Sequence, residues 1–139
     1  DVRYLAGKVS VYSTTPQLPR NAILYFLHKS FGDKEGLLTG KWALEYTPEE
    51  VEFYENLFTG ATYQENYKIL NAFMKEQGAN IPPLIHSYME LSSSMKTFGT
   101  CFDKDFGDVY DTAMIITIAD IYPAKKERYI ESYFKQKEA

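Results

Sequence analysis

The order of apolar and polar positions changes period along the chain, and each period predicts an element. From Lys8 to Ser13 the two kinds alternate, with Val9 and Val11 on one side, which predicts a strand within residues 4–13. Thr15-Pro16 then reads as a cap followed by a first-turn proline. Pro19 still falls in that turn, so neither proline breaks an interior hydrogen bond. Leu18, Ala22, Tyr25 and Phe26 share one helical face, widened by Ile23, Leu24 and Leu27. The spacing predicts a helix over 16–31, ended at Phe31-Gly32 by a left-handed glycine cap. A loop with Gly32, Gly36 and Gly40 follows.

Thr47-Pro48-Glu49-Glu50 and Thr62-Tyr63-Gln64-Glu65 both fit the capping-box pattern, in which a hydroxyl and a glutamate satisfy two free backbone N–H groups. They open predicted helices over 48–58, with Val51, Tyr54, Leu57 and Phe58, and over 63–77, with Tyr63, Tyr67, Leu70 and Met74, stopping at Gly78. Pro82-Pro83 opens a short helix over 82–91, with Leu84, Ile85, Tyr88 and Met89 on its apolar side. Beyond Ser92-Ser93-Ser94 the period shortens. Met95 to Phe102 reads as a strand. Thr112 to Ala119 is a near-continuous, β-branched apolar run, expected to be buried on both faces. The short connection between them favours an antiparallel pair. Pro123 starts a last helix through Phe134, and the tail Lys135–Ala139 is polar.

The fold class expected is therefore α/β, in one domain over 1–139: a small sheet with an antiparallel C-terminal strand pair and several flanking helices. A three-stranded sheet leaves an edge to be covered or paired, so a homo-oligomer through that edge is expected. The chain opens Asp1-Val2-Arg3, without an initiator Met or a signal-peptide pattern, and reads as a piece cut from a longer protein or as a processed product; the thin sheet agrees with completing strands upstream, which would make this the C-terminal portion.

Composition narrows the function classes. Of 139 residues, 45% are hydrophobic and 24% charged, a globular composition that rules out general disorder. With 12 Tyr and 9 Phe, the faces holding Tyr54, Tyr63, Tyr67 and Tyr88 read as packing, with hydroxyls at the rim, rather than as a cofactor stack. Fifteen basic against 19 acidic residues argues against nucleic acid as a partner. Cys101 is the single cysteine and cannot form an internal disulfide, which fits a reducing compartment. No apolar run approaches the ~18 residues of a transmembrane segment.

Three constellations could carry chemistry. His28-Lys29-Ser30-Phe31-Gly32-Asp33 matches the H-x-x-x-x-D pattern of glycerolipid acyltransferases, where aspartate orients a histidine base, but the later phosphate-binding F-P-E-G-type segment has no counterpart. His28 also suits the negative end of its helix without any catalytic role. Asp103, Asp105, Asp108 and Asp111 crowd one turn. Counted as a calcium loop from Asp103, the fifth and sixth positions are Gly107 and Asp108, the reverse of the required order, and the twelfth is Met114. Aspartates capping a solvated hairpin is the plainer reading. Cys101 on a strand reads as an inert thiol, and His86 as an ordinary surface or core histidine. No phosphate-cradling glycine loop and no zinc spacing is present.

Four segments in order resemble bacterial proteins of the hemolysin family: Tyr4-Leu5-Ala6-Gly7-Lys8-Val9-Ser10 (Y-L-x-G-x-V-S), Ile81-Pro82-Pro83-Leu84 through Tyr88 (I-P-x-L-x-x-x-Y), Asp103-Lys104-Asp105-Phe106 through Asp111 (D-x-D-F-x-x-x-x-D) and Arg128-Tyr129 (R-Y). That family is similar to the GNAT superfamily of N-acyltransferases, whose relatives acylate the amine of ornithine or glycine in bacterial aminolipid synthesis. The resemblance implies a partial GNAT-like fold from the fifth strand onward. It implies an acyl carrier protein or acyl-CoA thioester as donor to the intact parent, and no cofactor held by this chain alone. This portion by itself would be inactive. Its location would be cytoplasmic, with peripheral contact at the inner face of the membrane. Asp111 would be catalytic, and Tyr88, Asp103, Asp105 and Asp108 would bind the acceptor amine. No metal is expected. The alternative is a non-catalytic module that binds a protein or lipid through the open sheet edge and aromatic faces.

Overall fold

A computed structural model of the chain describes residues 2–38, 40 and 43–138. Asp1 and Ala139, the ends of the expected domain, lie outside them. The order is β1 (Tyr4–Tyr12), α1 (Gln17–Phe31), α2 (Pro48–Leu57), α3 (Tyr63–Glu76), α4 (Pro83–Met89), β2 (Lys96–Asp103) and β3 (Val109–Thr117). A 3-10 turn (Ile118–Asp120) leads to α5 (Pro123–Lys126), a π turn (Glu127–Glu131) and α6 (Ser132–Glu138). The architecture is α/β, with an open antiparallel sheet in the order β1-β3-β2. The apolar run thus becomes the central strand. It begins at Val109 and ends at Thr117, where the backbone tightens into the 3-10 turn rather than running on to Ala119. From Thr112 onward its residues alternate between buried and half-buried, so one face meets the core and the other is only partly covered there, in contrast to the expected burial on both faces; only at the start of the strand are Val109 and Asp111, on the face opposite the core, buried as well.

Register assigns the faces. Gly7 pairs with Met114, Val9 with Thr112 and Val11 with Tyr110, and these rows face the core. Lys8 pairs with Ala113 and Ser10 with Asp111, so by strand alternation these lie on the opposite face. In β2 the pairing steps from Thr97↔Met114 to Thr100↔Thr112, a bulge that inserts one residue around Phe98-Gly99.

Helix α1 is the centre of the molecule. Every residue from Asn21 to Leu27 is buried, because α3 and β2 pack against this helix and Tyr54 of α2 stacks on it. Tyr25 stacks on Tyr54 (5.2 Å) and Phe58 (6.3 Å), and Phe26 meets Tyr67 at 5.9 Å. The aromatic surplus is used in packing, as its helical spacing predicts. Burial pushes the hydroxyls of Tyr25 and Tyr46 up and that of Tyr54 to about 12. Tyr54 donates to the Leu18 carbonyl at 2.9 Å.

The capping predictions divide. At α2 the box is complete: Thr47 Oγ1 accepts from Glu50 N at 3.2 Å and Glu50 Oε2 from Thr47 N at 2.8 Å. At α3 Thr62 accepts from Glu65 N, but the Glu65 carboxylate takes the Ala61 N–H instead of that of Thr62. At α1 no side chain caps, and Pro16 rather than Thr15 holds the N-cap position. Gly32 ends α1 without a left-handed backbone, at φ −54°. Glycine is needed there for another reason: a Cβ would sit 2.2 Å from the His28 carbonyl oxygen. The last helix runs past Phe134 to Glu138 and is interrupted by the π turn.

The outer edge of β2 is partly covered by the chain itself. Asp33 N donates to Thr97 O and Leu44 N to Thr100 O, both at 2.8 Å. Bridges form at Gly32↔Thr97 and Ala43↔Cys101. Among the described residues nothing pairs with the outer edge of β1, where Tyr4, Leu5 and Tyr12 are exposed.

Candidate functional site

The β2–β3 hairpin folds the acidic turn over the face of the sheet opposite the core. Gly107 (φ 83°) and Asp108 (φ 51°) take the left-handed backbone that reverses the chain, a conformation aspartate tolerates better than most residues. Asp103 Oδ1 accepts from the N–H groups of Asp105 and Phe106, each at 3.1 Å, so this carboxylate caps the turn. Asp105 and Asp108 are exposed.

Asp111 differs from the other three. It is 8% exposed, on β3 between Ser10 of β1 and Cys101 of β2. Its Oδ1 accepts from Ser10 Oγ at 2.5 Å and its Oδ2 from Lys8 Nζ at 3.0 Å. The Lys8 ammonium also lies 4.9 Å from the centre of the Phe106 ring at the tip of the turn. A shallow cavity of about 390 Å³ opens here, bordered by Ser10, Tyr12, Asp105, Phe106, Gly107 and Val109. Asp111 itself does not border it; Ser10 does, with its hydroxyl bonded to the carboxylate behind.

Tyr88 is elsewhere. Its hydroxyl lies 3.5 Å from the position a Cβ on Gly7 would occupy, beside Met114, and so against the core face of β1. It borders a second cleft at the start of that strand. The structure therefore brings Asp105, Asp111 and the rest of the turn together and holds Tyr88 on the other side of the sheet. Lys8 and Ser10, the two partners of Asp111, were not singled out from the sequence. The alternation that puts Lys8 and Ser10 opposite Val9 and Val11 is the signal for them, but it does not say which strand they face.

The other candidates are engaged differently. Asp33 accepts from Leu37 N (3.0 Å) and Glu35 N (3.3 Å) and pairs with Lys96 at 3.8 Å. The Leu37 N–H foremost, with the other loop N–H groups and Lys96, holds its carboxyl below the usual range. Among the described residues no hydrogen bond joins it to His28, so the H-x-x-x-x-D pair is not assembled. His86 stacks on Tyr67 and pairs with Glu90 at 3.1 Å. Cys101 is half-buried against Gly40, where a Cβ would lie 2.6 Å from its own, and no histidine bonds to it among the described residues. No described helix is long and apolar enough to cross a membrane.

Two curated proteins are similar to almost the entire chain. A glycine N(alpha)-acyltransferase of Phocaeicola vulgatus is 43% identical over 136 residues, covering 98% of this chain and 41% of the relative. A glycine N(alpha)-acyltransferase of Bacteroides thetaiotaomicron is 40% identical over 137 residues, covering 97% of this chain and 40% of the relative. The chain thus spans about two-fifths of the length of the curated relatives it matches. No family model and no solved structure matches it. The acyltransferase resemblance read from the four ordered segments stands: over nearly its whole length the chain is a relative of part of the glycine N(alpha)-acyltransferases.

Proposed function

We propose that this chain forms the acceptor side of an N-acyltransferase that moves a fatty acyl group from a thioester to the amine of a small amino acid, glycine first among them. The observation that carries the proposal is the 40–43% identity to two glycine N(alpha)-acyltransferases across nearly all of the chain. The donor would be an acyl carrier protein or acyl-CoA thioester, presented at the open edge of β1. The product is an aminolipid, which agrees with a cytoplasmic enzyme working at the membrane surface.

In this reaction a neutral amine attacks the thioester carbonyl. A C–N bond forms, the C–S bond breaks, and a proton must leave nitrogen while the departing thiolate gains one. Ser10 and Asp111 would carry the first transfer. Ser10 borders the cavity, and its hydroxyl donates to a carboxylate held largely out of water. It takes the amine proton as it passes its own to Asp111. Lys8 keeps the carboxylate oriented, and the exposed Asp105 bordering the cavity attracts the amine in its ammonium form, which gives up one proton to solvent before it attacks.

The test is acyl transfer to glycine by the full-length protein, with Ser10→Ala and Asp111→Asn alongside. Each variant should lose about 10²–10⁴-fold in turnover while remaining folded. Unchanged turnover removes the pair from the mechanism, and no transfer by the unaltered protein overturns the reading as a whole.

A further inference from the structure

The second cleft, where Tyr88 lies, has a composition that the transfer chemistry does not use. It has a volume of about 500 Å³, within the range of small-molecule sites. Leu5 of β1, Leu91, Ile121 and Ile130 supply aliphatic walls from four separate segments, and three charged residues, Glu90, Lys125 and Arg128, also border it. The two cations are not equivalent. Lys125 pairs with Glu90 at 3.7 Å, and Glu90 also holds His86. Arg128 has no carboxylate partner among the described residues; its guanidinium lies 5.2 Å from the Tyr129 ring centre. The π turn at Glu127–Glu131 falls at this point, and the three consecutive residues Arg128, Tyr129 and Ile130 all border the cleft. Such turns widen a helix locally and recur at functional sites.

An aliphatic cleft bordered by a guanidinium with no carboxylate partner among the described residues is complementary to a chain of methylenes that ends in a carboxylate. The apolar walls remove the chain from water, at roughly 0.8 kcal/mol per buried CH₂. Arg128 offers a two-pronged, charge-assisted contact to the head. We propose that this cleft binds a long-chain acyl carboxylate. An N-acylated amino acid and a free fatty acid share that chemistry. The inference rests on the acyltransferase reading only in that the first of these is the expected product.

The experiment is calorimetric titration of the full-length protein with N-dodecanoylglycine, its methyl ester and dodecanoate, below their micelle concentrations. The two anions should bind, and the ester should bind about tenfold more weakly than its acid. Arg128→Gln should weaken both anions by about tenfold or more, removing the gap between acid and ester, and Arg128→Lys should restore part of it. Ile130→Asp should abolish binding, with circular dichroism confirming that each variant is folded. Tighter binding of N-dodecanoylglycine than of dodecanoate identifies the acylated amino acid as the ligand, and equal binding identifies the fatty anion. Binding without any transfer activity upholds the cleft and overturns the proposed function. Transfer activity without binding overturns the cleft, as does binding in which acid and ester are alike and Arg128→Gln changes nothing.

Discussion

Ser10 donates a hydrogen bond to Asp111 from a strand 101 residues away in sequence, and the two side chains meet because β1 pairs with β3 in a register that sets them directly opposite. Lys8 approaches the other oxygen of the same carboxylate, but its side chain is 49% exposed. These two contacts should differ in strength. A double-mutant cycle of Ser10→Ala with Asp111→Asn should show a coupling of about 1–2 kcal/mol, as for a hydrogen bond to a charged group shielded from water. The cycle of Lys8→Met with Asp111→Asn should give less than about 1 kcal/mol, because solvent screens the exposed ammonium. Denaturant titration of the four proteins in each cycle measures both. A stronger Lys8 coupling would mean that the ion pair, not the hydroxyl, holds Asp111.

The two helix caps give a second comparison. Thr47→Ala should destabilise by about 1 kcal/mol, the usual worth of an N-cap. Glu50→Ala should cost more than Glu65→Ala. Glu50 accepts from Thr47 N and also from Gln17 Nε2 (3.2 Å) and the buried Asn21 Nδ2 (3.1 Å), so it ties α2 to α1. Among the described residues the Glu65 carboxylate bonds only to the Ala61 N–H, beside its own turn. Equal shifts in melting temperature for the two glutamate variants would contradict this.

Gly32→Ala should be the costliest glycine substitution at the end of α1, although its backbone is one any residue adopts. The added methyl would sit 2.2 Å from the His28 carbonyl oxygen, so either the helix end or the Gly32↔Thr97 bridge must move. A loss of about 2 kcal/mol or more is expected, in the range of overpacked positions. Gly99→Ala, with open space around its Cβ position, should stay within about 1 kcal/mol and serves as the control. Similar melting temperatures for the two would sink the steric account.

The buried tyrosines predict a limit at high pH. Burial raises the Tyr54 hydroxyl from its ordinary value of 10.0 to about 12. A group whose folded pKa is raised contributes stability that is complete below its unfolded pKa and is lost as pH climbs through the folded one. Stability should therefore hold up to about pH 10 and fall between 10 and 12, with tyrosinate absorbance rising as unfolding proceeds. Tyr54→Phe should flatten part of that fall while losing the bond to Leu18 O. An unchanged alkaline profile would show that Tyr54 ionises freely in the folded protein.

Local chemistry settled much of the fold in advance. The α2 cap was legible because Thr47 and Glu50 interact over three residues, and the helices over 48–58 and 63–77 because their apolar faces repeat every three or four positions. The β-branched run from Thr112 announced a strand, since its residue types suit a pleated, half-buried surface. The ordered segments from Tyr4 to Tyr129 carried the resemblance to acyltransferases, which depends on residue identity and order alone. Contacts across long separations were not legible. Only the β1–β3 register joins Ser10 to Asp111, and only the alternation of that paired strand sends Gly7 and Tyr88 to the opposite face. The boundary of β3, the glycine at position 32 and the cleft around Arg128 likewise follow from where the backbone tightens and which segments approach one another. Those outcomes are decided by packing among distant parts of the chain, and no local pattern of residues encodes them.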